Sequence, residues 1–511
     1  NRSDCLGRLA HDILISEVPE RSKTMALLFD THVQKMKYNV LREVARLAYQ
    51  DALTPQQLLE IPKRIIPEGK PSFRCCIYKE RAIIGERVGI ALGGQADGNV
   101  VEVLSIACDE CPVDGIQVTA ACRGCLAHRC MDNCPKGAIT VVNHRAQIDK
   151  GKCVECGKCM SVCPYSAIVQ NIRPCVRACK PKAISIHQET SKAMIHHDAC
   201  TACGACVYQC PFGAIMDKSD ITQVIRLLLD SQDNTAYRVY AVAAPSMASQ
   251  YPSAAPEKVA AGIHALGFHA VVEAAWGADM TAWLEAQELR EKGFLLSSCC
   301  PAFVSYVEKN FPALQDRISH TLSPMAQIAK WLKQTDPGCK VVFIGPCIAK
   351  KAEAKYTRSV QYVDYAITFE EMQAMFAARE IDLASIPGEP LDNASYFGRI
   401  FARSGGLAAA VAEALKEQHV DPAEFELKPA VCNGIEACRV ALLKAQKGLL
   451  DANFIEGMAC EGGCIGGPAC LSHSSKNAAQ VDAYGRSALE ETISQAIHVL
   501  GLGAVSREDP R

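Results

Sequence analysis

Two stretches of this chain, Cys153 to Pro164 and Cys200 to Pro211, read Cys-x-x-Cys-x-x-Cys-x-x-x-Cys-Pro. Thiolates at that spacing ligate cubane [4Fe–4S] clusters, and a chain tied to a cluster every third residue has few folds open to it. Sixteen of the 28 cysteines fall between Cys108 and Cys210. Disulfide scaffolds also concentrate cysteine, but they are short secreted chains without a large apolar domain. Here 511 residues are 49% hydrophobic, enough for two to four domains and at least one large core. Metal is therefore the expected use of these thiols. Exposed clusters are oxygen-sensitive, so a reducing cytoplasm is expected. A formal net charge of −2 gives no support for nucleic acid or a membrane surface as partner. No run of 18 apolar residues occurs, so no spanning helix is expected. Asn1-Arg2-Ser3-Asp4 lacks the pattern of a secretory signal, and without an initial Met the natural start is expected upstream.

The cysteine-rich zone, residues 106–218, is an internal repeat. Four segments end alike: Cys134-Pro-Lys-Gly-Ala-Ile, Cys163-Pro-Tyr-Ser-Ala-Ile, Cys179-Lys-Pro-Lys-Ala-Ile and Cys210-Pro-Phe-Gly-Ala-Ile. Each resembles half of a bacterial-type ferredoxin unit. In two-cluster ferredoxins the first three cysteines of a motif hold one cluster and the fourth ligates the other. That crossing pairs Cys153, Cys156 and Cys159 with Cys210, and Cys200, Cys203 and Cys206 with Cys163. The outer motifs are less regular. By the same rule a third cluster takes Cys122, Cys125, Cys130 and Cys179, and a fourth takes Cys108, Cys111, Cys175 and Cys134. Three or four accessory [4Fe–4S] clusters are expected, close enough for electrons to hop along them.

Flanking regions differ. Residues 1–105 hold only Cys5, Cys75 and Cys76 and read as mainly helical. Helical spacing runs from Thr24 to Asp51, Thr54-Pro55 reads as an N-cap followed by proline, and Val100 to Ile106 alternates like a strand. A packing or docking role is expected there. Residues 219–511 alternate short apolar strands (237–243, 270–275, 294–297, 340–345, 453–456) with helices (256–266, 280–292, 324–333). That order implies an α/β domain with parallel sheets and flanking helices. Ligand sites in such folds lie beyond the carboxyl ends of the strands.

Three loops sit at such ends. They are Ser298-Cys299-Cys300-Pro301, Gly345-Pro346-Cys347-Ile348-Ala349-Lys350-Lys351-Ala352-Glu353, and Glu456-Gly457-Met458-Ala459-Cys460-Glu461-Gly462-Gly463-Cys464. Together they offer Cys300, Cys347, Cys460 and Cys464, the four thiolates a cubane takes, with Cys299 left over.

In this order the loops resemble the signature segments of the iron-only ([FeFe]) hydrogenases, over roughly residues 150–480. The resemblance implies an H-cluster between two lobes: a [4Fe–4S] cubane on Cys300, Cys347, Cys460 and Cys464, bridged through Cys464 to a diiron subsite with CO, CN and dithiolate amine ligands. It implies that Lys350 and Ser246 donate to that subsite and that Pro245, Pro346 and Met458 line it. It also implies a proton path from solvent through Glu288, Ser319 and Glu285 to Cys299. The activity implied is reversible reduction of protons to H2, with ferredoxin or flavodoxin as electron partner and maturation enzymes encoded elsewhere. A hydrogen or redox sensor and a non-catalytic iron–sulfur scaffold lacking the diiron subsite are the other readings the family admits.

The chain departs from the family pattern at Gly345, where Met is usual, at Met325, where Gln is common, and in Gly466-Gly467-Pro468-Ala469, which is shortened. Residues 1–105 lack the cysteine spacing of the [2Fe–2S] domain some relatives carry. Cys75, Cys76, Cys339, Cys432, Cys438 and Cys470 are expected to be small buried hydrophobes.

Overall fold

The computed structural model describes residues 29–112, 115–252, 254–391 and 394–499. Asn1 to Asp4, Cys5 and the first residues of the Thr24–Asp51 stretch lie outside these. The N-terminal part is helical: His32–Tyr49, Pro55–Ile65 and Ile77–Ala91. Thr54 does cap the second helix, its hydroxyl accepting from Gln57 N at 3.3 Å, which satisfies one of the orphan amides of a helix start. The strand expected over Val100–Ile106 is shorter, β1 (Val101–Val103), because the chain turns at once towards Cys108.

The ferredoxin-like part is built from short strands. These are β2 (Gly115–Val118), β3 (Ile139–Val142), β4 (Arg145–Ile148), β5 (Ile168–Asn171), β6 (Ile184–Ile186), β7 (Ala193–Ile195) and β8 (Ile215–Asp217). All pair antiparallel, as β2·β5, β3·β4, β6·β7 and β1·β8. Gly115 faces Asn171 across the β2·β5 pair, so the segment between them leaves and returns at neighbouring points. The four repeats have one physical reading. In each, the alanine amide donates to the cysteine sulfur four residues back: Ala138 to Cys134 and Ala167 to Cys163 at 3.3 Å, Ala183 to Cys179 at 3.1 Å, Ala214 to Cys210 at 3.2 Å. The isoleucine that follows starts a strand.

Residues beyond 218 carry two parallel sheets. One has the order β10 (Ala270–Glu273), β9 (Val239–Ala243), β12 (Lys340–Gly345), β13 (Tyr365–Thr368). The other has the order β11 (Leu295–Leu296), β15 (Phe454–Met458), β14 (Pro429–Asn433). Every pairing in both is parallel. Ala274 and Ala275 belong not to a strand but to the long helix Ala274–Lys292, which begins six residues earlier than Met280.

A buried charge network joins the three parts. Lys37, on the first helix, bonds Asp217 at the end of β8 and Glu370. Lys351 bonds Asp217 at 2.8 Å and Glu371 at 2.8 Å. Burial works against these charges, yet the neighbouring carboxylates hold Lys37 above its ordinary value and raise Lys351 to about 12, while the two lysines hold Asp217 well below its own.

Candidate metal centres and proton path

In the ferredoxin-like part the sixteen cysteines gather in fours, but not in the fours that nested crossing predicts. One small cavity is lined by Cys122, Cys125, Cys130 and Cys163, and a second by Cys134, Cys153, Cys156 and Cys159. Cys175 lies among Cys108, Cys111 and Cys210. Cys179 lies among Cys200, Cys203 and Cys206. Crossing therefore operates between the first and second motifs and between the outer fragments and the last motif. The cause is topological. The β2·β5 unit closes on itself, carrying two complete motifs, and it interrupts the partner motif between Cys111 and Cys175. Among the described residues no three His, Cys, Asp or Glu side chains converge tightly enough for a single metal ion. Two of the fours, those of the β2·β5 unit, line cavities instead.

In the parallel-sheet domain, Cys300 follows β11, Cys347 follows β12, and Cys460 follows β15, so strand ends of both sheets meet at one place. Cys347 lies within electrostatic reach of Cys300 and Cys464, and Cys460 of Cys347, Cys300 and Cys464. Cys300 and Cys347 are N-caps, of helices Pro301–Asn310 and Ile348–Tyr356, whose amide ends favour negative charge on sulfur. Gly463 is obligatory at φ +85°: a Cβ there would lie 2.7 Å from Ser404 N. Cys460 also lies within reach of Cys203. Gly204, next to it, lets the two parts close, since its Cβ would fall 2.5 Å from Ile348 and 2.6 Å from Pro468. Burial and repulsion between the sulfurs push Cys347 and Cys460 up, and Cys464 to about 11, so binding iron there must displace protons.

The residues expected to form a proton path are buried in the structure. Glu285 and Glu288, three apart on Ala274–Lys292, are both buried, although such pairs on a helix face are ordinarily solvated. Ser319 Oγ donates to Glu288 Oε2 at 2.9 Å, and Cys299 lies within electrostatic reach of Glu285. Burial pushes Glu285 up to about 7, against hydrogen bonds from Ser298 N (2.9 Å) and Ser298 Oγ (3.1 Å). Glu288 is also opposed by burial, but Lys292 at 2.7 Å and the His320 amide hold it below the usual carboxylate range. Residues missed in the sequence are Ser298 beside Glu285, and Lys292 and His320 at the half-exposed outer end. The i, i+4 spacing of Glu288 and Lys292 was the available signal.

Lys350 is buried and held in place. Its Nζ donates to Ser323 Oγ at 2.8 Å, to Glu353 Oε2 at 2.6 Å and to Cys299 O at 3.4 Å. Burial disfavours its charge, but Glu353 outweighs this and raises it. Ser323 and Glu353 were not singled out by sequence. Pro245, Ser246, Pro346 and Met458 are all buried. The Pro245–Ser249 turn packs against the Cys464–Gly466 turn. Ser246 Oγ finds no hydrogen-bond partner there, a buried donor left over for a bound group. The space opened by Gly345 is taken by the Phe343 ring, 2.7 Å from where a Cβ would sit, and Met325 is buried in the core. Cys339, Cys432, Cys438 and Cys470 are buried as expected. Cys75 is not: it is exposed in the loop before Ile77–Ala91, with Cys76 half-buried beside it.

Residues 237–468 match the family described as iron only hydrogenase large subunit, C-terminal domain. Over those residues the chain is of the iron-only hydrogenase type. Residues 121–167 match a 4Fe-4S dicluster domain and residues 152–213 a 4Fe-4S double cluster binding domain. The chain is 27% identical over 384 residues to the periplasmic [Fe] hydrogenase large subunit of Nitratidesulfovibrio vulgaris, covering 63% of this chain and 86% of that one. It is 28% identical over 255 residues to iron hydrogenase 1 of Clostridium pasteurianum, covering 41% and 44%. A third relative, 38% identical over 106 residues, is the cytosolic Fe-S cluster assembly factor NAR1 of Kluyveromyces lactis, covering 21% and 23%. The chain thus spans less than half the length of the last two. The [FeFe]-hydrogenase HydA1 structure from Chlamydomonas reinhardtii aligns with a TM-score of 0.48 at 19% identity, over 57% of this chain and 95% of that one. Among the described residues no helix is long and apolar enough to cross a membrane.

The hydrogenase-type domain also buries Asp279, whose carboxyl accepts from Ser395 N and Oγ at 2.9 and 2.6 Å and is pushed by burial up to about 8. A carboxyl raised in the fold stabilises it fully below its unfolded value of 3.8, and that contribution is lost as pH rises through about 8. Thermal unfolding of the holoprotein is therefore expected at falling temperature as pH rises from about 6 to 8. Asp279→Asn should flatten that fall, and an unchanged slope in the variant would contradict the assignment.

Proposed function

We propose that this chain is a hydrogenase that interconverts protons, electrons and H2 at an H-cluster. The observation that carries the reading is the buried run Glu288, Ser319, Glu285 and Cys299, which ends beside the four-cysteine set. A cluster-holding scaffold has no use for a titratable run leading inward from solvent. When bound, the cubane on Cys300, Cys347, Cys460 and Cys464 with its diiron partner would supply the two-electron chemistry. The chain's residues supply the rest. Glu288, held ionised by Lys292, collects protons from the outer end, where Lys292 and His320 reach solvent. Ser319 passes them inward, and Glu285, poised near neutrality, both accepts and releases. Cys299 faces the reacting group. Lys350, fixed by Ser323 and Glu353, and Ser246 offer donors to anionic ligands, and Pro245, Pro346 and Met458 exclude water. Four accessory clusters would carry electrons to Cys460 by way of Cys203. A small ferredoxin or flavodoxin is the proposed electron partner, in a reducing cytoplasm, with maturation enzymes delivering the diiron subsite.

The NAR1 similarity supports a second reading, a scaffold that holds cubanes without a diiron subsite. Infrared spectra of anaerobically matured protein separate the two. Metal-bound cyanide and carbonyl bands that shift under H2 are expected. Their absence at full iron loading, with maturation verified on a known hydrogenase, would leave only the scaffold.

A further inference from the structure

Arg87 is a buried cation without a carboxylate. It lies on Ile77–Ala91, in the helical N-terminal part, and is only 3% exposed. Its Nη2 donates to two carbonyls, Phe212 O at 3.1 Å and Gly213 O at 3.3 Å, while Nε and Nη1 find no hydrogen-bond partner. Arg74, nearby, is different: it pairs with Asp109 at 3.1 Å and Glu110 at 3.2 Å. Glu370 lines the same small cavity as Arg87 but is bonded by Lys37. An unpaired buried guanidinium is strongly unfavourable, so a native fold that keeps one has a counter-charge for it.

The candidate counter-charge is adjacent. Phe212 and Gly213 belong to the turn immediately after Cys210, and Arg87 lies within electrostatic reach of the Cys210 sulfur. Cys210 shares its site with Cys108, Cys111 and Cys175. A cubane on four thiolates is net negative in either oxidation state, and more so when reduced. A fixed positive charge beside it stabilises the reduced form more than the oxidised one, and net charge is one of the levers that set cluster potentials.

We propose that Arg87 is the counter-charge of the cluster held by Cys108, Cys111, Cys175 and Cys210, and that the N-terminal helices serve to raise that cluster's reduction potential. This rests on the four-cluster part of the function proposed above and not on hydrogen turnover. Arg87 is a positioning residue, acting through the cluster's electrostatics. The Ala214 amide on Cys210 and the Ala193 amide on Cys108, at 3.2 and 3.3 Å, act in the same sense.

The test is a redox titration of the reconstituted holoprotein followed by electron paramagnetic resonance, with Cys175→Ser marking which signal belongs to this cluster. In Arg87→Gln the midpoint of that signal alone should fall by about 59 mV, a tenfold change in its reduced-to-oxidised ratio. Arg87→Lys should restore it. Loss of this one cluster in Arg87→Gln, with four retained in Arg87→Lys, would also support the role of the charge. An unshifted midpoint, a shift shared by every cluster, or loss of the cluster in Arg87→Lys would overturn it. Wild-type protein without a fourth accessory cluster by iron and spin counting would overturn both the proposal and the four-cluster reading, whatever its activity with H2.

Discussion

Cys299→Ala should lower H2 turnover by about 10²–10⁴-fold, the range that a positioned proton-transfer group contributes, while every cluster stays in place. The thiol is buried beside Glu285, and burial, reinforced by that carboxylate, pushes it well above its ordinary value. It therefore holds its proton at neutral pH and can pass one only to a partner it touches. Glu285→Gln should cost about as much, because the amide can bond Ser298 but cannot carry a titrating proton. Glu288→Gln should cost less, since Lys292 and His320 stand at the same outer position. Infrared and electron paramagnetic spectra on the same samples separate a broken path from a lost cofactor. Wild-type rates in Cys299→Ala with intact spectra would end the assignment of this path.

Lys351→Met should destabilise the fold by about 3–5 kcal/mol, the usual effect of removing one partner from a buried ion cluster. The change takes a cation away from Asp217 and Glu371, which Lys351 bonds from Ile348–Tyr356. Asp217 belongs to β8 and also binds Lys37, so the loss loosens the N-terminal helices and the ferredoxin-like part together. Denaturant unfolding of the holoprotein measures it. Adding Asp217→Asn and Glu371→Gln should recover much of the loss, because uncompensated buried charge is the main term. A triple variant no more stable than the single one would show that packing, not charge, governs this junction.

The candidate cluster ligands were legible in the sequence, because cubane ligands are characteristically cysteine at a short, regular local spacing. Cys300, Cys347, Cys460 and Cys464 do converge at the ends of β11, β12 and β15, and the strand–helix order gave parallel sheets. The pairing of the outer cysteines was not legible. Cys108 and Cys111 are separated from Cys175 by a folded unit, and linear spacing cannot tell an interrupted motif from an incomplete one. Burial of Glu285 and Glu288 was equally hidden, since the acidic face of Ala274–Lys292 looks solvated until Ser298, Ser319 and the His320 amide are packed against it. Gly345 reads as a departure from the family pattern, but Phe343, two residues away on the same strand face, fills the space it leaves. Arg87 carried no signal at all, for a lone arginine in an unassigned helix is ordinarily a surface residue.

Closure of residues 115–171 by the β2·β5 pair has a consequence for how such chains change over time. The unit's own cysteines, from Cys122 to Cys163, gather in two fours without borrowing from outside, and its two ends emerge side by side. Units of that kind are gained or lost whole, because joining adjacent ends disturbs little else. On the proposed function, the reach of the electron path is thus separable from the chemistry at its far end.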